Sequence, residues 1–522
     1  MRRPRARASL AELALLVALI AWALFPVALL VAHALHDHAR LTGADGLIGV
    51  DGVLGADQLQ YLAWARDAGN HGLISDLFSL APSGHVYLQP LFLITGALWR
   101  LGLSLPLAYL LWKPIAAIAL FLAALAWARR LFADQLGARA AMVALALFLY
   151  TPVAALVSWA TLGSSAFRFQ MYLIGDELLP ANKLWGYVPS ALGLALMALA
   201  LLAVERSLVP TGTRTACAVA LGSLAALLSS LLHPWQGATM LLVFAGLAVW
   251  QRLRGAWLLI PPALGAGLPL LYYLVLSHAD SAWRIAAQNE AVARLTLVVL
   301  LAGLGPLLLV ALAGLRRPGQ EVAERVLLLW IPACLITYFA LNAFAPHALQ
   351  GLSFPIGALI VRGWQRSRAP ALLGALAVAL LTIPGLAYSA RKFAEVARGH
   401  AVQYYLPRSD ARALDWLAGP APAGGVLAPV PFAIVIPSQT GRAVWVGHGY
   451  WSSDYAVRAK QANRLFGGRM RPGAARSFVL GTRAPLLFAD CSHPANLNRL
   501  LGPVVQATHR FGCARVYVIR RT

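Results

Sequence analysis

The chain has 522 residues, of which 60% are hydrophobic and only 12% charged, and its mean hydropathy is +0.68. Soluble globular proteins carry about 25% charged residues, so this composition excludes a soluble nucleic-acid binder, a disordered chain and a collagen-like fibre. Several apolar stretches near 20 residues indicate a polytopic α-helical membrane protein. The net charge is +23, yet only Lys113, Lys183, Lys392 and Lys460 among the 43 basic residues are lysines. Such Arg abundance is what a GC-rich genome produces, so the placement of charge is informative and its total is not.

After MRRPRARASL the chain is apolar to about Leu35. A signal-peptide core runs only 7–15 residues, so this is an uncleaved first span despite the weak A-x-A at Ala32-His33-Ala34. Further spans are expected near 105–128, 140–159, 186–204, 215–233, 235–251, 256–276, 295–315, 326–344, 346–361 and 370–388. The stretch 87–98 is too short to cross about 30 Å of hydrocarbon and reads as interfacial or re-entrant. The positive-inside rule supports leaving it out. With eleven spans, Arg2, Arg3, Arg5 and Arg7 fall inside, as do Arg129, Arg130 and Arg139. So do the pairs Arg206/Arg214 and Arg252/Arg254, and the groups Arg316, Arg317, Arg325 and Arg362, Arg366, Arg368. Outside lie a long first loop (37–104), loops 160–185 and 277–294, and everything from 389.

This divides the chain into a membrane domain, 1–388, and a small extracytoplasmic α/β domain, 389–522. In the latter, Ser409 is expected to cap a helix through Leu417, and 426–430, 443–447 and 515–519 read as strands. Helices are expected over 454–466 and near 496–510. Four cysteines are too few for a disulfide framework. Cys217 and Cys334 read as core residues, while Cys491 and Cys513 are placed to pair or to stay free in an oxidising compartment.

The first outer loop carries Asp45, Asp51, Asp57, Asp67 and Asp76. Asp57 opens an amphipathic helix, 57–68, expected along the membrane surface. In that first turn the carboxylate is either a helix cap or a general base held at the bilayer surface. The "D…Y-L-A" segment (Asp57-Tyr61-Leu62-Ala63) is followed by Pro90, LFLITGALW and Lys113-Pro114. Later come His233-Pro234 and the block Gly447-His448…Tyr455…Arg458. In this order the motifs resemble the GT-C superfamily of membrane glycosyltransferases and uncharacterised bacterial members of it.

The resemblance implies a polyprenyl-phosphate sugar donor, transfer outside the cytoplasm across a bacterial inner membrane, and Asp57 as the acidic residue that activates the acceptor. The chain departs from the better-defined pattern by carrying Asp57-Gln58 where many members have Asp-Glu. No nucleotide-binding Gly loop is present, as fits a donor that is not a nucleotide sugar. No H-E-x-x-H, G-x-S-x-G or C-x-x-C appears either.

Other candidates follow from chemistry. Lys113, about two turns inside span two, either meets a lipid phosphate or snorkels to the headgroups. In the second outer loop, Asp176-Glu177 form a possible second acidic site, and Arg168 and Lys183 suit a phosphate. Trp185 suits a sugar face or the aromatic belt. The third loop offers Arg284, Gln288 and Asn289. His233 marks a turn between spans; His33, Asp37 and His38 crowd the end of span one. No spacing specifies a metal or another cofactor.

The preferred reading is an inverting glycosyltransferase with Asp57 as base, Tyr61 nearby, and a lipid-linked donor with a glycan, lipid or protein acceptor. A transporter or flippase, or a non-catalytic envelope scaffold, are the alternatives. No inverted repeat supports transport.

Overall fold

The computed structural model describes residues 9–37, 39–42, 48–209, 213–290, 294–315, 321–367, 370–399 and 401–520. Arg2, Arg3, Arg5, Arg7, His38, Asp45, Arg316, Arg317 and Arg368, all named above, lie outside the described residues. The chain is a multi-pass, mostly helical membrane protein. Among the described residues seven helices are long and apolar enough to cross a bilayer, or eight if a pair bent by 52° at Leu136–Phe148 and Pro152–Trp159 is one span. The bend follows from Pro152, which cannot donate within a continuing helix. The apolar helices Pro234–Trp250 and Leu297–Leu312 are shorter.

One expected span differs outright. Residues 346–361 begin as a 3-10 turn, Ala345–Leu349, and become helical only over Ser353–Ser367. Fifteen residues rise only about 22 Å, short of the hydrocarbon thickness. Gly351, at φ +90°, separates the two pieces. The stretch 87–98 forms the helix Pro90–Arg100, eleven residues long and capped by the Gln89 side chain.

The chain forms two compact units. The first comprises Met1–Phe25, Trp112–Leu274 and Ala291–Phe393. Its centre is the helix Val188–Ser207, packed against Thr213–Leu232 and Trp112–Leu131. Polar side chains in that core bond to carbonyls, as Trp127 Nε1 to Ala198 O and Ser229 Oγ to Gly193 O show. The helix Leu10–Asp37 starts with a capping box: Ser9 and Glu12 exchange side-chain-to-backbone bonds at 3.0 and 3.2 Å. Glu12 also bonds Arg139 at 2.8 Å, both 1% exposed, and Arg130 bonds Glu205 at 2.7 Å. These arginines, which the charge rule sends to one side, therefore gather at one end of this unit.

The second unit comprises Pro26–Leu111, Val275–Glu290 and Ala394–Thr522. It contains all six strands of the described residues: β1 (Arg40–Leu41), β2 (Tyr405–Leu406), β3 (Val426–Leu427), β4 (Leu486–Ala489), β5 (Val505–Phe511) and β6 (Ala514–Ile519). β1 pairs antiparallel with β2, stitching the first loop to the chain near 405. The other four form a sheet ordered β3-β4-β6-β5, with β3 and β4 parallel. β4 is a fully buried apolar run that lacks the alternation marking half-buried strands.

The expected helix near 496–510 is correct only for Leu497–Leu501; a 3-10 turn, Gly502–Val504, and then β5 follow. Residues 443–447 contribute an isolated bridge at Val444, not a strand. The helix at Arg408–Ala418 is capped by Pro407, so Ser409 lies inside it. Cys491 and Cys513 form a disulfide with Cα atoms 4.9 Å apart.

The helix Gly55–His71 is enclosed and does not lie on a surface. Leu59, Leu62, Ala63 and Ala65 are buried, but so are Gln58, Gln60 and Asp67. The polar groups have partners: Gln58 bonds both the backbone and carboxylate of Asp51. The neighbouring helix Pro90–Arg100 crosses it closely, and a Cβ on Gly96 would stand 2.4 Å from Ala65 O. Only glycine fits there.

Candidate active site

Asp57 lies in the first turn of the Gly55–His71 helix, where unpaired backbone N–H groups favour a carboxylate. Its Oδ1 is 3.3 Å from His448 Nε2. The His448 ring is 5% exposed and the Asp57 side chain 25% exposed. The backbone N–H of Tyr450 donates to His448 Nδ1 at 3.2 Å. That nitrogen is therefore an acceptor, and the proton of the neutral ring sits on Nε2. His448 thus donates to Asp57 and holds one carboxylate oxygen.

The histidine itself is fixed from behind. Ser452 Oγ accepts from the N–H groups of Gly447 and His448 and donates to Phe78 O at 2.8 Å. Phe78 N–H in turn donates to Asp76. Burial pushes the Asp76 carboxyl up to about 7, Phe78's donation opposes this, and the charge of Asp280 adds to it.

A second carboxyl shares this environment. Glu290 ends the helix Ser281–Glu290. Burial, then the charge of Asp57, pushes it up to about 7. The phenols of Tyr61 and Tyr450 are held above their ordinary range by burial first and by Asp57 and Glu290 second. Asn289 Nδ2 donates to Tyr450 O at 2.9 Å. Beside these, Tyr61 packs on Phe92 at 5.2 Å between ring centres, and Trp64 and Trp283 meet Trp451 edge-on at 5.0 and 4.7 Å. Arg284 donates to His278 O at 2.6 Å and is exposed.

The first unit holds a separate polar cluster. Lys183 Nζ is 2.8 Å from Asp176 and 3.2 Å from Glu177. Glu177 also meets His347 Nδ1 at 3.0 Å and accepts from Gln350 at 2.7 Å. Burial raises the Glu177 carboxyl, but Lys183, then His347 and Gln350, outweigh it and hold it well below the usual range. Burial likewise lowers the Lys183 ammonium, yet Asp176 and Glu177 carry it above its ordinary value. His233 is 4% exposed, its ring 4.8 Å from Trp235 and 5.1 Å from His347.

Several expected contacts take other forms. Trp185 is fully buried, stacked on Trp22 at 4.4 Å. Its Nε1 donates to Trp22 O, the carbonyl that Pro26 cannot satisfy. It has no free face for a sugar and is not in an interfacial belt. Lys113 is 2% exposed and donates to Ala23 O at 2.9 Å, so it does not snorkel. Arg168 is half-buried and donates to Thr161 O and Gly163 O.

Asp57 and His448 are brought together, as are Asp176, Glu177, Lys183 and His347. His448, His347, Gln350 and Glu290 did not stand out as site residues; only the G-H pair of the C-terminal block hinted at His448.

No protein-family model matches the chain, and no curated protein sequence does. Solved structures do. The chain is similar to the apo oligosaccharyltransferase of Archaeoglobus fulgidus, with a TM-score of 0.52 at 13% identity, covering 98% of this chain and 74% of that one. It is also similar to ArnT from Cupriavidus metallidurans bound to undecaprenyl phosphate, with a TM-score of 0.50 at 13% identity, covering 98% of each chain. The architecture is the GT-C fold.

Proposed function

We propose that this GT-C chain is an inverting glycosyltransferase that takes a polyprenyl-phosphate sugar as donor and acts at the outer face of a bacterial cytoplasmic membrane, with Asp57 as general base. The observation that carries the reading is the partly exposed Asp57 carboxylate with one oxygen against the buried His448 ring. The other oxygen then takes the acceptor proton as the acceptor attacks the anomeric carbon. The bond to the lipid phosphate breaks on the opposite face, so configuration inverts.

The phosphate leaves as an anion and needs a cation whose charge is not already cancelled. Lys183 faces two carboxylates. Arg284 and Arg168 bond backbone carbonyls and face no carboxylate among the described residues. Arg284, in the same unit as Asp57, is the phosphate contact in this reading. Tyr61 and Asn289 stay with Asp57 as acceptor-side residues, beside the packed rings of Trp64, Trp283 and Trp451. The Cys491–Cys513 disulfide suits an oxidising compartment and so the outer face.

Glycosyltransfer is tested by giving membranes containing the chain polyprenyl-phosphate sugars labelled in the sugar. Label should move into a glycan, lipid or protein fraction with release of polyprenyl phosphate. Donors that remain intact across the common hexose and pentose series would overturn the proposal.

A further inference from the structure

The loop that follows the Asp57 helix carries a group with no part in the proposed chemistry. Asp67 and His71 are four residues apart on the last turns of the Gly55–His71 helix and so share one face. The chain leaves that helix through Gly72 and folds back on itself, because Ile74 and Tyr87 pair antiparallel through backbone bonds of 3.0 and 3.1 Å. That pairing returns His85 to the helix end. His71 Nδ1 is then 2.8 Å and His85 Nε2 3.3 Å from the same oxygen, Asp67 Oδ1. The two imidazole centres are 3.9 Å apart. The other oxygen, Oδ2, accepts from Ser75 N at 2.7 Å and Ser75 Oγ at 2.9 Å.

We propose that Asp67, His71 and His85 bind a divalent transition metal of the zinc class, and that the metal fastens the 72–87 loop to the end of the Asp57 helix. Three features carry this. First, two imidazoles and a carboxylate are a zinc-type donor set. Their donor atoms lie within 4.8 Å of one another, and tetrahedral ligands at about 2.05 Å from zinc stand about 3.3 Å apart. Second, Ser75 holds the carboxylate in the manner of an outer-shell partner and leaves Oδ1 aimed at the two rings. Third, Asp67 is 4% exposed whereas the His71 and His85 side chains are 50% and 37% exposed. An ion can enter, and a fourth position stays open to water. Each ring can donate an N–H to Asp67 Oδ1, and one dication at that point takes the place of both hydrogen bonds.

The test uses full-length, tag-free protein in detergent, stripped with a chelator and titrated with Zn²⁺ and, separately, Co²⁺. One ion should bind per chain, with visible ligand-field absorption for Co²⁺ and a higher thermal midpoint. His71→Ala/His85→Ala should lose that ion and the absorption. His85→Gln, which leaves the helix untouched, should weaken binding at least about tenfold. Asp57→Asn and Glu177→Gln should bind as wild type does. Absence of binding by the wild type, or an unchanged Co²⁺ spectrum in the double variant, would overturn the proposal.

Discussion

Replacing His448 by Asn and by Gln separates its two hydrogen bonds. The amide of Gln places a donor near the Nε2 position, while that of Asn places its polar atoms near Nδ1. Asn therefore keeps the acceptor for Tyr450 N–H but leaves Asp57 without its donor; Gln does the reverse. A hydrogen bond to a charged group contributes about 1.5–3 kcal/mol. The 3.3 Å separation lies just beyond the usual N–H···O range, so the lower end applies, about 1.5 kcal/mol. If that bond positions the base, its loss costs about tenfold in rate. The expected result is a roughly tenfold fall in kcat for His448→Asn, with KM for the donor little changed, and a near-normal kcat for His448→Gln. The assay is steady-state transfer from a polyprenyl-phosphate sugar with both variants at matched folded concentration. Equal rates in the two variants, or the reverse order, would refute the reasoning that His448 acts through Asp57.

Lys183→Met should destabilise the protein by about 3–5 kcal/mol, because it removes the cation that faces both Asp176 and the buried Glu177; a thermal midpoint equal to wild type would contradict this. Reducing Cys491–Cys513, which closes a loop of 22-residue separation, should cost about 3 kcal/mol. Thiol labelling under denaturing conditions should find two reactive cysteines before reduction and four after. Asp410 is 2% exposed; burial, then Asp490, pushes it up to about 7. Above the ordinary carboxylate value and below about pH 7, the folded form binds more protons than the unfolded one, so stability falls as pH rises through that window. Asp410→Asn keeps an acceptor for Cys491 N–H, and its thermal midpoint should exceed wild type at pH 8 and lose that advantage toward pH 4.

The membrane architecture was legible because twenty-residue apolar runs have few alternatives. The failures have local causes. Residues 505–510 read as the end of a helix although Val505, Ala507, His509 and Phe511 sit at every second position of 505–511, the spacing of the strand β5. Span 346–361 had the apolar content of a span but not the continuity, which Gly351 breaks. Asp57 stood out from its place at a helix start, yet its partner is 391 residues away, and no local pattern reports such a pairing. The helix 57–68 read as lying on the membrane surface, yet Gln58, Gln60 and Asp67 are buried too, and Asp51 and Ser75, seven and eight residues away, satisfy Gln58 and Asp67. Glu290 was not singled out, and the Asp57 charge that acts on it comes from another segment.

The central claim is that Asp57 removes the acceptor proton during sugar transfer. Its most direct test compares wild type with Asp57→Asn in proteoliposomes, with folding checked by thermal midpoint. The isosteric amide keeps the shape of the site and cannot take a proton. The account predicts no transfer above background from a variant that melts as wild type does. Transfer by Asp57→Asn at the wild-type rate would contradict it.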